Sequence, residues 1–440
     1  MIDLLRKLKQ LLPLGRFARN VAVLAGGTAL GQAIVVLASL ILTRLYTPED
    51  FGVLAVYSSL LGILSVIASL RYELAIPLPE KEEDATAVTV LSLVIVLGMS
   101  FLVGLGVELV GERIVQWVHF PALEPYLWFL PVGVLLVGSY QVFTYWAVRR
   151  RAFYLVSRTK FNQGLMSTFV QISLGLWGSG KFGLLLGHIF GQAAGVTTLA
   201  TLAGRESGSS LQSIRPANVW KVAKRYMKFP IISSFSGLMN VVGLRMPTLM
   251  LAVFYGAHVA GWFSLGQRII GIPMTLIGSA VGQVYLAEVS KLVREGPEVI
   301  KRHLVRTSRR LLLIGIGPMV IIVVGGPALF AWIFGSQWEE VGLYIRLLSI
   351  TLLLQLSIAP FAQTLNVIGR QELLLVWDLV RLFIVMATFL LARNLGWPHY
   401  VAVGIYSGSY SILLLMLYGL IIHAVNGLSN RGGKRHEQNS

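Results

Sequence analysis

The chain has 440 residues, of which 55% are apolar and 13% are charged, and its mean hydropathy is +0.72. A soluble domain carries about 25% charged residues, so this composition excludes an ordinary soluble protein and indicates a polytopic membrane protein. The absence of cysteine excludes disulfides, thiolate nucleophiles and cysteine metal sites. The net charge of +17 would indicate nucleic-acid binding only if the Lys and Arg formed one face. They lie between hydrophobic runs, so no nucleic-acid partner is expected.

Residues 1–19 mix leucines with Lys and Arg, a pattern that predicts a short amphipathic helix on the inner membrane surface. A cleaved signal peptide needs a short apolar core and a cleavage site. Here a full-length hydrophobic run follows at once, so we expect the segment to be retained.

About twelve apolar windows follow, each of about 20 residues and therefore long enough at 1.5 Å per residue to cross a hydrocarbon core of roughly 30 Å. The fold class that they predict is an all-α polytopic membrane protein with about 12 transmembrane helices. The windows cover approximately residues 20 to 43, 51 to 76, 85 to 109, 125 to 148, 160 to 180, 182 to 204, 229 to 255, 258 to 286, 311 to 335, 341 to 365, 373 to 394 and 398 to 423.

The Lys and Arg between these windows predict the orientation of the chain, because cytoplasmic loops retain positive charge. With a cytoplasmic N-terminus, the basic stretches 149–160, 205–228 and 291–310 all lie inside. We therefore expect a multi-pass membrane protein with both termini in the cytoplasm. Most of the positive charge is attributed to this topology rather than to ligand binding.

The polar stretch at 205–228 falls near the middle of the chain and leaves six windows on each side. Five segments are predicted: a basic amphipathic N-terminal segment 1–19, an N-terminal six-helix lobe 20–204, a cytoplasmic linker 205–228, a C-terminal six-helix lobe 229–423 and a cytoplasmic polar tail 424–440. Transporters built from two such parallel repeats usually bind substrate between them near the midplane.

An offset of 209 residues aligns the first outer turn of each half, placing Tyr46 on Tyr255 and Gly52 on Gly261. Glycines spaced four apart at 187, 191 and 195 predict close helix packing, either within one bundle or at a dimer interface.

Two arginines are predicted to lie deep in the membrane, where an ionised side chain is costly and marks a functional candidate. Arg245 precedes the outer turn near Gly256 by 11 residues and Arg268 follows it by 12, which places both roughly 16 to 18 Å below the outer surface. Two cations at one depth are stabilised by an anion between them, and Arg suits bidentate contact with phosphate. Alternatively, each pairs with backbone carbonyls or with Gln267.

Two further pairs of charges lie in or near predicted spans. Arg71 and Glu73 are near the inner end of the second span, where snorkelling to the interface explains them as well as function does. Asp378 and Arg381 are three residues apart in the eleventh span and can pair with each other. Asp378 and Glu73 are the candidates for ion coupling, with a structural ion pair as the other interpretation of Asp378.

Two signals for bound ligands fail. Residues 175–181 read G-L-W-G-S-G-K, like the start of a phosphate-binding loop, but Phe182 stands where Ser or Thr would hold magnesium. The seven histidines lack the spacing of metal ligands. No metal or other cofactor is expected.

Residues 42–52, L-T-R-L-Y-T-P-E-D-F-G, resemble the signature of polysaccharide biosynthesis proteins of the Wzx-like oligosaccharide flippase type. Their superfamily also holds multidrug and toxic compound extruders and lipid II flippases. Further matches are Arg71-Tyr72-Glu73 followed by Pro77, and the turn at residues 255–263.

The resemblance implies a V-shaped pair of six-helix lobes that opens alternately to the two sides of the membrane and is a transporter rather than an enzyme. Its substrate would be an undecaprenyl-pyrophosphate-linked oligosaccharide for O-antigen, capsule or exopolysaccharide. On depth, Arg245 and Arg268 would contact the pyrophosphate, while Arg381 and Arg71 would line the inner part of the path. A monomer is expected, with a polymerase and glycosyltransferases of the same pathway as possible partners.

Two alternatives stay open. A multidrug or toxin extruder would favour an acidic cavity for organic cations, and the candidate acids are few. An integral-membrane glycosyltransferase or polymerase needs catalytic acids or a sizeable extramembrane loop, and neither is evident in the sequence.

Overall fold

The computed structural model describes residues 16–118, 120–212, 216–292 and 296–437, and these residues form helices and turns without strands. Residues 1–15 of the predicted amphipathic segment lie outside the described residues. The α-helices are α1 Arg16–Leu45, α2 Pro48–Ile67, α3 Glu82–Val118, α4 Phe129–Arg149, α5 Phe153–Leu176, α6 Lys181–Gln212, α7 Pro216–Arg225, α8 Ser234–Tyr255, α9 Ala257–Gly266, α10 Ile272–Leu292, α11 Pro297–Phe334, α12 Glu339–Ile358, α13 Gln363–Val367, α14 Gln371–Asn394 and α15 His399–Glu437.

The prediction of an all-α polytopic membrane protein is confirmed. Within the described part of the chain, ten helical stretches are long and apolar enough to cross a membrane. The two predicted spans that are not among the ten, 160 to 180 and 258 to 286, are also helical. The first lies in α5 up to Leu176 and ends in a turn, and the second comprises α9, a π-helical turn at Gln267–Gly271 and α10.

Contacts divide the chain into two compact units. The first contains the described residues up to Ile41, Leu64–Val110 and Tyr126–Ser234, and the second contains Leu42–Ile63, Gly111–Pro125 and the described residues from Phe235 onward. Trp146, with 1% exposure, lies in the core of the first unit. Phe263 and Phe389 are fully buried in the core of the second.

Small residues set the helix spacing in the first unit. A Cβ at Gly187 would lie 2.9 Å from the Ser167 carbonyl oxygen of α5, and a Cβ at Gly191 would lie 3.0 Å from the Gln163 carbonyl oxygen. Real Cβ atoms do not tolerate such contacts with backbone, so these glycines let α6 approach α5 closely. The interpretation as packing within one bundle is the one that the contacts support.

Candidate substrate path

The end of the signature at residues 42–52 starts helix α2. Thr47 Oγ1 accepts a hydrogen bond from the Asp50 N–H at 3.2 Å, and Asp50 Oδ2 accepts one from the Thr47 N–H at 3.0 Å. This reciprocal pair is a capping box, and Pro48 takes the first helical position, where no N–H is needed. Glu49 and Asp50 also place negative charge at the positive end of the helix dipole. The sequence T-P-E-D is therefore explained as a helix start.

The other signature residues fix this turn to the segment between α11 and α12. The Thr43 carbonyl accepts hydrogen bonds from Trp338 Nε1 at 3.0 Å and Gln337 Nε2 at 3.1 Å. The ring of Phe51 meets the fully buried ring of Trp338 edge to face at 5.1 Å. Polar bonds and an aromatic pair therefore hold the first outer turn in place.

A reciprocal glycine contact joins the first outer turns of the two sequence halves within the second unit. A Cβ at Gly52 would overlap the Ala257 carbonyl oxygen, and a Cβ at Gly261 would overlap the Pro48 carbonyl oxygen. Pro48 and Ala257 are 209 residues apart, as are Gly52 and Gly261. The two contacts are therefore equivalent under the internal repeat, as in a two-fold interface.

The hairpin that carries Arg245 and Arg268 turns where the sequence predicts. Helix α8 ends at Tyr255, Gly256 has a φ of +96°, and α9 begins at Ala257. Gly256 is suited to this turn because a positive φ favours glycine. Arg245 lies in α8 and Arg268 in the π-helical turn after α9. The residues between Gly256 and each arginine are therefore helical, as the predicted depths of the two arginines require.

Neither of these arginines forms an ion pair with a carboxylate among the described residues. The Arg245 side chain is exposed and that of Arg268 is half-buried. A Cβ at Gly62 would lie 3.2 Å from Arg245 Nε, so Arg245 packs against α2 at a position without a side chain. Both cations are available to an anionic ligand.

Asp378 and Arg381, in contrast, form a closed polar cluster. Arg381 Nη2 lies 3.0 Å from Asp378 Oδ1 and donates to the Asn240 carbonyl at 3.0 Å. Asn240 Nδ2 donates to both oxygens of Asp378 at 3.2 and 3.1 Å. The guanidinium also stacks over Trp377 at 4.7 Å. The ion pair that the three-residue spacing of Asp378 and Arg381 allows is therefore present, and Arg381 is buried, with 4% of its surface exposed.

Arg71 and Glu73 lie in the first unit, after α2. Leu70 and Arg71 have φ angles of 49° and 62°, a left-handed conformation that costs of order 1 kcal/mol or more per non-glycine residue. The Glu73 side chain is 1% exposed, accepts a hydrogen bond from Ser69 Oγ, and lies 3.8 Å from Arg71 Nη1. The turn therefore holds a buried carboxylate next to a partly exposed cation.

Two further residues belong with the deep charges and are not among the sequence candidates. Asn240 is one. The sequence does not indicate it, because the Asp378 carboxylate that it contacts lies in α14, 138 positions away. Arg346 is the other: it lies in α12, 11 residues after the turn at Gly335, and its Nη2 donates to the Val324 carbonyl at 3.2 Å. The sequence does indicate Arg346 as a candidate, because an Arg is unusual inside an apolar window such as 341 to 365.

The family model for polysaccharide biosynthesis proteins matches residues 41–342, which is more than half of the chain. The chain belongs to this family. The matched region contains the outer-turn signature, both reciprocal glycines, and Arg245 and Arg268.

Two curated relatives show modest identity to the chain. It is 22% identical over 345 residues to the succinoglycan biosynthesis transport protein ExoT of Rhizobium meliloti (strain 1021), covering 78% of this chain and 67% of that protein. It is 24% identical over 155 residues to the teichuronic acid biosynthesis protein TuaB of Bacillus subtilis (strain 168), covering 35% of this chain and 32% of that protein. The chain thus matches about two thirds of one relative and one third of the other.

The fold of this polysaccharide biosynthesis protein is that of a known transporter superfamily. The inward-facing conformation of a multidrug resistance MATE family transporter of the MOP superfamily matches with a TM-score of 0.69 and 14% identity, over 91% of this chain and 96% of that chain. Its outward-facing conformation matches with a TM-score of 0.56 and 14% identity, over 93% and 96%. The chain therefore has the fold of these transporters.

Gly52→Ala and Gly261→Ala are each expected to lower the free energy of unfolding by about 3 kcal/mol, because the new methyl group meets a backbone oxygen that cannot move without its helix. Thermal unfolding of the purified protein in detergent measures the change. Gly98→Ala is the matched control, since a Cβ there has no neighbour within 4 Å. Equal melting temperatures for the Gly52 and Gly98 variants would contradict the reciprocal contact.

Asp378→Ala is expected to lower the free energy of unfolding by about 3 to 5 kcal/mol, because it leaves the Arg381 cation buried without its partner. The double variant Asp378→Leu with Arg381→Met should recover much of this loss, since an apolar pair can replace a buried ion pair. A thermal unfolding cycle over the single and double variants measures the coupling. Additive losses would show that the pair is not coupled.

Proposed function

We propose that the protein is a flippase that moves an undecaprenyl-pyrophosphate-linked oligosaccharide from the inner to the outer leaflet of the bacterial inner membrane. The product would serve the synthesis of O-antigen, capsule or exopolysaccharide. The single observation that carries the proposal is the pair Arg245 and Arg268, two cations 11 and 12 residues from the same turn and without a carboxylate partner among the described residues. Membership in the polysaccharide biosynthesis family supports the same class of substrate.

The chemistry of the substrate explains why such a pair is useful. The glycan and the pyrophosphate are hydrated, whereas the polyprenyl tail is soluble in the bilayer. A path that accepts the headgroup has to replace its water with fixed polar groups. Guanidinium groups can form bidentate hydrogen bonds to phosphate oxygens and remain charged at membrane depth.

The four proposed substrate-binding arginines then differ in their roles. Arg245 and Arg268 bind the pyrophosphate directly. Arg381 is held by Asp378 and Asn240, so it adds positive potential near the path rather than a free fork of donors. Arg71 is partly exposed and lies after the second span, where it would meet the headgroup at the inner side.

Of the two proposed ion-coupling acids, Glu73 is the better carrier of a proton. Asp378 already accepts two hydrogen bonds from Asn240 and pairs with Arg381. Glu73 lies outside the candidate spans Pro48–Ile67 and Glu82–Arg113, and burial raises the pKa of its carboxyl. A raised pKa favours proton uptake by the folded protein.

A multidrug extruder is the second candidate, favoured by the fold of the MATE transporters. Organic cations need an acidic site, and the two acids proposed for ion coupling, Glu73 and Asp378, each have an arginine partner. The free charges on the path are cationic, which favours an anionic headgroup over a cationic drug.

Arg245→Ala and Arg268→Ala are each expected to weaken binding of undecaprenyl-pyrophosphate oligosaccharide by roughly 10-fold or more, the loss of a hydrogen bond to a charged group. Titration of the purified protein with the fluorescent lipid measures the dissociation constant. Arg393→Ala is the matched control, because Arg393 is an exposed cation of the same unit and stacks on Phe254. Equal effects of the three variants would argue against the site, and tight binding of a cationic dye by the wild type would favour the extruder.

Glu73→Gln is expected to flatten the pH dependence of stability. Since folding raises the pKa of Glu73, its contribution is most favourable at low pH, below the unfolded pKa, and is lost as the pH rises through the interval up to the folded pKa. The Gln variant lacks this loss, so its melting temperature should exceed that of the wild type above this interval and converge with it below. Melting curves from acid to alkaline pH measure the difference. Parallel curves would show that Glu73 titrates alike in the folded and unfolded chains.

A further inference from the structure

The inner end of helix α11 carries a row of positive charge on one face. The residues at its groove of about 510 Å³ recur every three or four positions, which places them on one side of the helix. They are Glu298, Lys301, Arg302, Val305, Arg306, Arg309, Arg310 and Leu313. This set is called the basic face below. Five of its eight members are cations and one is an acid.

The basic face points away from the protein core. Arg302, Arg306, Arg309 and Arg310 are exposed, whereas Ile300, Leu304 and Leu311 on the other side are buried in the core of the second unit. Among the described residues, none of the five cations has an ion-pair partner. The charges are therefore free to attract an external anion.

The same face becomes apolar farther along the helix. Leu313, Val320 and Val324 continue the row at intervals of seven and four residues, and their exposures are 60%, 53% and 76%. An exposed apolar row on a helix that can span the membrane is a surface for acyl chains. Cations and acyl-chain contacts thus lie on one continuous strip.

The length of α11 places the charges at the depth of lipid phosphates. The helix ends at Phe334 on the predicted outer side. Counting back at 1.5 Å per residue puts Leu313 about 31 Å from that end, Arg310 about 36 Å and Arg306 about 42 Å. A hydrocarbon core is about 30 Å thick and the headgroup layers extend the bilayer to about 40 to 45 Å. Arg306 and Arg310 therefore lie where the inner-leaflet phosphates are.

We propose that the basic face is a binding site for anionic phospholipids of the inner leaflet, with phosphates on the arginines and acyl chains along Leu313 to Val324. A topology signal requires only that positive charge lie inside. It does not require the charges to share one face, or that face to continue into an exposed apolar row. Phospholipid is the anionic amphiphile that surrounds every copy of the protein, so it is the occupant that this surface meets. The site is independent of the proposed transport substrate.

The test is native mass spectrometry of the purified full chain titrated separately with phosphatidylglycerol, phosphatidylcholine and undecaprenyl pyrophosphate. Each surface cation contributes about a fivefold factor to anionic lipid binding. Arg306→Gln with Arg310→Gln should therefore retain phosphatidylglycerol roughly 25-fold more weakly, without a change for phosphatidylcholine. The matched control is Arg151→Gln with Arg158→Gln, which removes two exposed cations of the first unit. Arg306→Lys with Arg310→Lys keeps the charge and should stay within a few-fold of the wild type.

Two checks keep the test decisive. The chain has no cysteine, so Ser336→Cys in each variant reports by labelling whether the orientation is preserved. If the Gln variant does not insert, the wild type decides: raising the salt from low to high concentration should weaken phosphatidylglycerol binding strongly and phosphatidylcholine binding little.

Three results would overturn the proposal. Equal losses in the Gln variant and the matched control would mean that any inner-side cation acts in the same way. Equal retention of phosphatidylcholine and phosphatidylglycerol by the wild type would remove the electrostatic basis. Binding of undecaprenyl pyrophosphate without binding of phosphatidylglycerol would reassign the basic face to a polyprenyl carrier.

Discussion

The arrangement of the second unit depends on two backbone oxygens that occupy the space where other residues have a Cβ. The Ala257 oxygen lies over Gly52 and the Pro48 oxygen lies over Gly261. Two helix starts can approach this closely only without side chains at the contact. The start of α2 is capped by Thr47 and Asp50, whereas Gly256 before α9 supplies no side-chain cap. Because Gly256 precedes Ala257 directly, the same contact fixes the turn from which the depths of Arg245 and Arg268 are counted.

The deep charges fall into two electrostatic groups. Arg381 is compensated by Asp378, by the Asn240 carbonyl and by the face of Trp377, so its burial has a local explanation. Arg245 and Arg268 have no carboxylate of their own among the described residues. Since an uncompensated cation at membrane depth costs several kcal/mol, the second group is the one for which an anionic substrate supplies a physical reason.

The sequence was most informative where one residue type has one local consequence. Helix positions followed from apolar length, and the position of the outer turn near Gly256 followed from the break between two apolar windows. The phosphate-loop-like run at 175–181 is likewise a turn, in which Gly178 and Gly180 have φ angles of 70° and 53°. The signature at 42–52 identified the family, although its residues cap and dock a turn rather than bind substrate.

Contacts between segments that are distant in the sequence could not be predicted from local patterns. The offset of 209 residues aligned Gly52 with Gly261 but did not show that each glycine packs against the turn of the other half. Asn240 has no local signal, because its partner Asp378 comes from a different helix. Residues Leu42–Ile63 belong to the second unit because of their packing contacts. A division of the chain at the polar stretch 205–228 places them in the N-terminal half instead.

The most direct measurement uses the purified protein in liposomes that contain a fluorescent undecaprenyl-pyrophosphate oligosaccharide, with an external reagent that quenches only sugars of the outer leaflet. We expect the wild type to move the shielded lipid to the outer leaflet, where the reagent quenches it, and the double variant Arg245→Ala with Arg268→Ala to leave this lipid shielded. Equal quenching by the wild type and the double variant would contradict the role of the two arginines. The proposed flippase function would be contradicted if the lipid stayed shielded with correctly inserted wild type under an imposed proton or sodium gradient.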